Sequence, residues 1–295
     1  MSPSPSDNAK PDPAKTAQAY LLAFEDIGFL REEELRPVRL QLELRKPELI
    51  QNREDIRSTV VVFGSARIPN ENESGEVIRK AEEALAKDPE NADLKRRKVI
   101  ADNLAAKQKY YEEAKKFAGL ATRASLKNGH RDYVVVTGGG PGIMEAANRG
   151  AHEAGGKNIG LKVTLPHEEE SNEYITPELC FQFHYFAIRK MHFLMRARAL
   201  VVFPGGFGTF DELFETLTLI QTEKMEAVPI VLFGQEFWKT AVNFEYLVDE
   251  GVISPEDLGL FTFAETAEDA WKFITTNEKY PEDHPFRPLE TEGTP

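Results

Sequence analysis

The residues best suited to chemistry lie in two glycine-rich loops and in a basic segment between them. The second loop reads PGGFGTFDE from Pro204 to Glu212 and follows the apolar run ALVVF. Glycine lets the backbone approach an oxyanion with no Cβ in the way. A helix that begins there adds N–H groups and the positive end of its dipole. The loop therefore predicts a phosphate site, with these binding residues: Gly205, Gly206, Gly208 and Thr209.

The first loop reads TGGGPG from Thr137 to Gly142, between a predicted strand and a predicted helix. It is not a dinucleotide fingerprint, because the third glycine position falls on Ile143, and no Gly-Lys-Ser/Thr follows as in a P-loop. Either loop alone could be a tight turn that joins a strand to a helix. Two such loops at neighbouring strand ends predict an anion site, with these further binding residues: Gly139, Gly140 and Gly142.

The carboxylates near the loops each allow two interpretations. Thr209 and Glu212 stand three apart, so Glu212 either closes a capping box at the helix start or acts on a ligand. Asp211 and Glu212 are adjacent, hence about 100° apart on a helix, so they cannot both face one ligand as an acid/base pair. Glu145 either stabilises the dipole of the helix after the first loop or contacts a ribose.

The basic segment reads HYFAIRKMHFLMRAR and runs from His184 to Arg198. On one helix, Arg189, His192 and Arg196 would share a face. They form either a solvated basic stripe or a set of cations near a bound phosphate or base. Ser65, in the run FGSAR, lacks the G-x-S-x-G elbow, so we interpret it as a hydrogen-bond donor rather than a nucleophile.

The elements that position these residues alternate between strands and helices. This alternation predicts an α/β fold, with a Rossmann-like, doubly wound, mostly parallel sheet and helices on both faces. Ligands of such sheets bind beyond the carboxyl ends of the strands, where the glycine loops fall. Strands are expected near 58–63, 133–137, 159–163, 181–185, 200–203, 229–233 and 261–263, and helices near 142–154, 187–198, 209–221, 237–248 and 266–275.

The flanking segments differ in composition from this core. Residues 1–14 and 281–295 are predicted to be disordered tails, and 15–57 a helical arm that precedes a nucleotide-binding domain over 58–280. A helical stretch over 76–127 is expected to be split by Pro89 and capped by Asn128-Gly129.

Composition narrows the classes of partner. The net charge of −13 over 295 residues opposes binding to nucleic acid or to an anionic membrane, although a local pocket can still hold a small anion. The single cysteine, Cys180, excludes an intramolecular disulfide and a four-cysteine zinc site. No cluster of His, Asp and Glu residues has the spacing typical of a metal site. An apolar leader and an 18-residue apolar window are both absent from the sequence, so we expect a cytoplasmic protein.

The RKMH run at Arg189, followed by PGGFGTFDE ending at Glu212, resembles the signature of the LOG (Lonely Guy) family. The resemblance runs from about Thr59 to Ile274 and includes FGSAR and TGGGPGIMEAAN. It implies a Rossmann-like fold and hydrolysis of AMP-like or N6-substituted cytokinin nucleotides to free base and ribose 5-phosphate. The older family label, lysine decarboxylase, has no support here, because nothing suggests a pyridoxal-phosphate site. No cofactor is expected.

The same resemblance implies roles for single residues. Arg189 and Glu212 match the catalytic pair of the family, and Lys190 is expected to join the nucleotide-binding residues. Glu212 would stabilise the oxocarbenium-like transition state and orient or deprotonate water, while Arg189 would neutralise the departing base or fix the ligand. Asp211 departs from the commoner family glutamate. The chain is longer than plain members, which points toward a larger subgroup, and a homodimer or larger even homo-oligomer is implied.

Three rival functions remain open from the sequence. A nucleotide-binding or molybdenum-cofactor carrier without catalysis also fits a P-G-G-x-G-T loop. A nicotinamide-dependent dehydrogenase is disfavoured by the missing third glycine. A broad nucleotide nucleosidase of purine salvage would differ only in base preference.

Overall fold

The computed structural model describes residues 17–127, Gly129, 132–164 and 171–276. The predicted tails, and Asn128 of the predicted cap, lie outside these ranges. The chain divides into two units, Met1–Lys46 and Pro47–Pro295.

The first unit holds short helical elements. Two 3-10 turns lie at Gln18–Tyr20 and Glu33–Leu35, with helix α1 at Ile27–Leu30 between them. The carboxylate of Asp26 caps α1 by accepting the N–H of Phe29 at 2.9 Å. Helix α2 spans Arg36–Arg53, so the division between the units falls inside α2, whereas the sequence pattern places the end of the arm at residue 57.

The second unit contains a seven-stranded sheet in which every pairing is parallel. Its order is β4-β3-β2-β1-β5-β6-β7, and the predicted fold class is confirmed. The central strands are β-branched and buried, as expected for strands covered on both faces. The strands are β1 Thr59–Phe63, β2 Val134–Thr137, β3 Asn158–Val163, β4 Cys180–Phe183, β5 Ala197–Val202, β6 Ile230–Phe233 and β7 Thr262–Ala264.

The helices of this unit follow the predicted pattern in outline, with several differences. The stretch 76–127 is three helices rather than two, because a turn at 106–107 follows the break at Pro89. They are α3 Glu71–Lys87, α4 Ala92–Ala105, α5 Gln108–Lys127, α6 Ile143–Glu153, α7 Phe186–Leu194, α8 Phe207–Gln221, α9 Gln235–Ala241, α10 Phe244–Asp249 and α11 Ala267–Thr276. Helix α7 ends at Leu194 rather than Arg198, because Ala197 already pairs with Thr59 as β5. The helix predicted over 237–248 is two helices, since the side chain of Asn243 caps α10 by accepting the N–H of Tyr246.

Alternate residues of the central strands β1, β2, β5 and β6 are buried in two apolar layers. Val61 and Phe63 of β1 pack on the side covered by α7, α8, α9 and α10. Val60 and Val62 pack on the opposite side, covered by α5, α6 and α11. None of the helices in the described ranges combines the length and the apolar character needed to cross a bilayer.

Strand order places the two glycine loops on either side of β1. The first loop follows β2 and the second follows β5, and β1 lies between these strands. The loops are therefore not at neighbouring strand ends, as the sequence suggested, because strand order is a long-range property. From β1 the chain adds β2, β3 and β4 on one side, and then crosses over to add β5, β6 and β7 on the other side. The carboxyl ends of β1 and β5 are therefore the topological switch point, where such sheets bind ligands.

Candidate active site

A cavity of about 920 Å³ opens at the switch point. Small-molecule sites typically measure about 300–1,000 Å³, so a nucleotide-sized ligand fits. Its lining comes from the end of β1 and the loop that follows, from the two glycine loops, and from helices α6, α7, α8 and α9. The lining residues predicted from the sequence are Ser65, Arg189, Gly205, Gly206, Gly208, Thr209 and Glu212.

Ser65 joins the two glycine loops through its backbone. Its N–H donates to the carbonyl of Pro204 at 3.0 Å, and its carbonyl accepts the N–H of Ile143 at 3.1 Å. The hydroxyl accepts the N–H of Arg67 at 3.1 Å. The proton of this hydroxyl has no acceptor among the described residues, which leaves it available to a ligand in the cavity.

The first glycine loop contributes Gly138 to the cavity lining, whereas Gly139, Gly140 and Gly142 do not line it. Gly142 has a φ of 68°, and a Cβ there would lie 2.4 Å from the carbonyl oxygen of Ser65. This position therefore needs glycine for the fold itself. The sequence expectation that these three glycines contact phosphate receives no support from the cavity, and Gly138 is the residue that it missed.

The second glycine loop contains one glycine required by packing and two that packing does not require. A Cβ on Gly205 would lie 2.1 Å from the hydroxyl oxygen of Thr209. Gly206 and Gly208 line the cavity, and a Cβ on either would meet nothing within 4 Å. The side chains missing at these two positions leave space and exposed backbone for a ligand.

Glu212 is not a helix cap. Helix α8 begins at Phe207, and the N–H groups of Thr209 and Phe210 both donate to the carbonyl of Gly206, so the predicted capping box is wrong. Glu212 therefore lies in the second turn of α8, and it is 8% exposed. Within the described parts of the chain, no group donates a hydrogen bond to its carboxylate.

Burial raises the pKa of Glu212 to about 7. The cations Lys190 and Arg189 lower it, while the carboxylates Glu215 and Asp211 raise it further. A buried carboxyl that titrates near neutral pH and faces a cavity is typical of a functional group.

Arg189 approaches the same cavity from α7. Its Nε donates to the carbonyl of Leu161 in β3 at 2.7 Å, and its guanidinium carbon lies 5.0 Å from the ring centroid of Phe193. Burial lowers the pKa of Arg189, while Glu212 acts in the opposite direction. The carbonyl of Leu161 thus holds the guanidinium through its Nε.

Lys190 does not line the cavity. Its ammonium forms ion pairs with Asp211 at 3.0 Å and Glu215 at 2.8 Å, both on α8. Burial disfavours its charge, but the carboxylates of Glu215 and Asp211 outweigh burial and raise its pKa. The structure places Lys190 as a link between α7 and α8 rather than beside the glycine loops.

The other predicted cations lie away from the cavity, toward the amino ends of the strands. Arg196 follows α7 and binds the carboxylate of Glu48 at 2.9 Å and the side-chain oxygen of Asn52 at 2.6 Å. His192 is buried, with its Nδ1 3.9 Å from Glu48. Neither alternative for this segment is therefore confirmed: His192 and Arg196 are buried beside Glu48, so they form neither a solvated stripe nor a set of cations in the cavity with Arg189.

Glu145 is also occupied elsewhere. It accepts a hydrogen bond from the hydroxyl of the buried Tyr111 at 2.7 Å and does not line the cavity. This pairing ties α6 to α5 and leaves the predicted ribose contact without support.

The aromatic lining of the cavity was not anticipated. Phe186 stands one turn before Arg189 on α7, and that spacing is the only sequence signal for its place here. Phe207 is 96% exposed at the start of α8, between the two open glycines. Such rings provide surfaces for a planar base. The aromatic lining residues are Phe63, Phe186, Phe193, Phe207, Phe210 and Phe237.

The cavity holds carboxylate, cation, hydroxyl and backbone groups. No group of three or more His, Cys, Asp or Glu residues that could hold a metal occurs within the described ranges. The chemistry available from these residues is anion binding, ring binding and proton transfer at Glu212.

Fold and cavity define a Rossmann-like α/β protein with a small-molecule site at its topological switch point. A family model described as "possible lysine decarboxylase" matches residues 144–274. Cytokinin riboside 5′-monophosphate phosphoribohydrolase LOG2 of Arabidopsis thaliana is 31% identical over 128 residues, which cover 41% of this chain and 57% of that protein. These matches confirm the resemblance to the LOG family.

Other similar proteins extend the comparison. Probable cytokinin riboside 5′-monophosphate phosphoribohydrolase LOGL2 of Oryza sativa subsp. japonica is 25% identical over 190 residues, covering 63% of this chain and 73% of that protein. Among solved structures, TM1055 is 22% identical with a TM-score of 0.43, covering 74% of this chain and 98% of that chain. A molybdenum-cofactor carrier protein from Chlamydomonas reinhardtii is 17% identical with a TM-score of 0.42, covering 74% and 99%.

Proposed function

We propose that this chain is a phosphoribohydrolase that cleaves the N-glycosidic bond of AMP-like nucleoside 5′-monophosphates to free base and ribose 5-phosphate. The observation that carries the proposal is Glu212, a buried carboxyl without a structural hydrogen bond that faces a nucleotide-sized cavity together with Arg189. The similar proteins LOG2 of Arabidopsis thaliana and LOGL2 of Oryza sativa subsp. japonica are named as cytokinin riboside 5′-monophosphate phosphoribohydrolases, which supports the same reaction class.

The 5′-phosphate would lie against the second glycine loop. Gly206 and Gly208 expose backbone there without a packing reason for glycine, and the positive end of α8 begins at the same point. Ser65 offers its hydroxyl proton from the adjacent loop. Binding energy from the phosphate would then hold the ribose carbon C1′ near Glu212.

Glu212 would act on the attacking water. As the bond between C1′ and the base nitrogen breaks, positive charge grows on the ribose, and an ionised carboxylate stabilises it. Glu212 takes a proton from water while the water oxygen bonds to C1′. The bonding electrons leave with the base, which is protonated from solvent. A pKa near 7 suits this general base at neutral pH.

Arg189 would oppose the charge that develops on the leaving base. Its guanidinium is fixed through Nε by the carbonyl of Leu161, so it would reach the base without reorganisation. The aromatic lining, with Phe186 and Phe207 at the rim, would hold a planar purine and leave room for an N6 substituent. The cytokinin nucleotide, the cytoplasmic location and the even homo-oligomer stay predictions.

The experiment is incubation of the purified protein with AMP, N6-isopentenyl-AMP, GMP and CMP, with chromatography of free base and ribose 5-phosphate. Glu212→Gln and Arg189→Ala should each lower base release at least a hundredfold. Glu245→Gln, an exposed carboxylate on α10, is the matched control and should behave like the unaltered protein. AMP binding without base release would contradict the proposal and leave a nucleotide-binding protein.

A further inference from the structure

A network of buried side-chain amides lies beneath the first glycine loop, and the reaction proposed above assigns it no role. Asn148 of α6 is completely buried. Its side-chain oxygen accepts from the hydroxyl of Thr137 at 2.7 Å and from the amide of Asn172 at 2.9 Å. Its side-chain nitrogen donates to the side-chain oxygen of Asn158 at 2.8 Å.

The network reaches the loop backbone at two successive residues. The hydroxyl oxygen of Thr137 accepts the N–H of Gly139 at 2.9 Å. Asn172 donates from its side chain to the carbonyl of Gly140 at 3.0 Å, and its backbone N–H donates to the carbonyl of Gly139 at 3.1 Å. Asn148 holds both of these contacts at once, because its oxygen accepts from both Thr137 and Asn172.

The loop in turn abuts the guanidinium of Arg189. A Cβ on Gly138 would lie 2.8 Å from Nη2 of Arg189, so the loop backbone passes directly beside that group. On its other side, Nε of Arg189 is held by Leu161 of β3. Asn158 begins β3 and donates to the carbonyl of Tyr174, which ties the same strand into the network.

We propose that Asn148 and Asn172 are positioning residues that hold the first glycine loop against Arg189 and so fix its guanidinium in the cavity. The inference rests on the proposed function, because the proposed function is what gives Arg189 a ligand to bind. The physical reason is the satisfied network itself: a buried amide with both of its heavy atoms bonded has one orientation and transmits it to its partners. An apolar side chain at Asn148 would fill similar space without orienting the loop.

Asn172→Ala is the main variant, because Asn172 is only partly buried and its loss should leave the core intact. Asn148→Ala is the second variant. The matched control is Ser58→Ala. Like Asn148, Ser58 is buried and hydrogen-bonded, to Asp132 at 3.0 Å, but it precedes β1 at the amino ends of the strands, away from the cavity. Each variant is compared at a temperature well below its unfolding transition.

The test is a double-mutant cycle with Arg189→Ala, read as the affinity for AMP by titration calorimetry. We expect Asn172→Ala to weaken AMP binding about tenfold in the unaltered background and less than twofold when Arg189 is already alanine. Ser58→Ala should change affinity less than twofold in both. A purely structural role would instead give equal losses in the two backgrounds, and that additivity would overturn the inference.

The outcome separates this inference from the proposed function. AMP binding with coupling but without base release would contradict only the hydrolase. Base release with additive losses would contradict only the positioning role. If the unaltered protein binds no AMP, both fall together.

Discussion

Arg189 and Glu212 line the same cavity from two different helices, and they form no ion pair with each other. Arg189 binds Leu161 through Nε, and the carboxylate of Glu212 has no hydrogen-bond donor among the described residues. Their neighbours Lys190 and Asp211 do pair, at 3.0 Å. The ion pair of Lys190 and Asp211 therefore joins α7 to α8, while Arg189 and Glu212 are left to a ligand between the helices.

The pH dependence of turnover follows from Glu212. Its pKa is raised to about 7, and the proposed general base must be ionised. We expect kcat/KM for AMP to rise with pH through about 7 and then level off. A pH–rate profile from pH 5 to 9 tests this, and a profile that falls through pH 7 would mean that the protonated form is the active one.

The same carboxyl should destabilise the fold at neutral pH. Its pKa is higher in the folded state, so the native protein binds more protons between about pH 4.5 and 7, and stability falls as pH rises through that window. Glu212→Gln should therefore raise the free energy of unfolding by roughly 2 kcal/mol at pH 8 and by almost nothing at pH 4.5. Urea titrations at both pH values provide the measurement; an equal effect at the two would contradict the account.

Lys190 should tune Glu212 from outside the cavity. Removing its charge leaves Asp211 and Glu215 unopposed beside Glu212, so Lys190→Met should raise the pKa of Glu212 and move the pH–rate profile toward higher pH. The profile of Lys190→Met measures the shift. Lys239→Met, at the end of α9, is a control that should leave the profile in place. If Lys190 binds the phosphate, as its motif position predicted, the variant would instead raise KM without moving the profile.

The glycines should separate into two classes. Gly206→Ala and Gly208→Ala meet no atom of the protein, so both should fold normally and lose AMP affinity at least tenfold. Gly142→Ala combines a positive φ with a backbone clash at Ser65 and should cost more than about 2 kcal/mol of stability. Thermal unfolding and AMP titration distinguish the classes. Unchanged AMP affinity in Gly206→Ala and Gly208→Ala would place the phosphate elsewhere.

The 5′-phosphate should be required for rapid turnover. Phosphate binding at the second loop positions C1′ at Glu212, so adenosine should react at least a hundredfold more slowly than AMP in kcat/KM. Base release from the two compounds under identical conditions gives the ratio. Comparable rates would show that the second loop does not hold the phosphate.

The strands and loops were predictable because their signals are local. The run TVVVF before Gly64 and the run ALVV before Pro204 are buried strands, and each ends where glycines begin. Pro89 interrupts the helical stretch, as expected from its missing N–H, between α3 and α4.

The remaining features depend on long-range contacts. The position of β1 between β2 and β5 cannot be derived from the two loops, and it brings Ser65 into contact with both. The helix start at Phe207, two residues before Thr209, decides between the two interpretations of Glu212: it excludes the capping box and leaves Glu212 in the cavity lining. The network of Asn148 joins α6, β2 and the segment of Asn172, which no sequence period connects.

The most direct measurement is a proton NMR time course of AMP with the purified protein, following the ribose H1′ signal. We expect this signal to be replaced by those of ribose 5-phosphate as free adenine appears in equal amount, and we expect Glu212→Gln to abolish the change. An unaltered H1′ signal in the presence of saturably bound AMP, or equal turnover by Glu212→Gln, would contradict the proposed function.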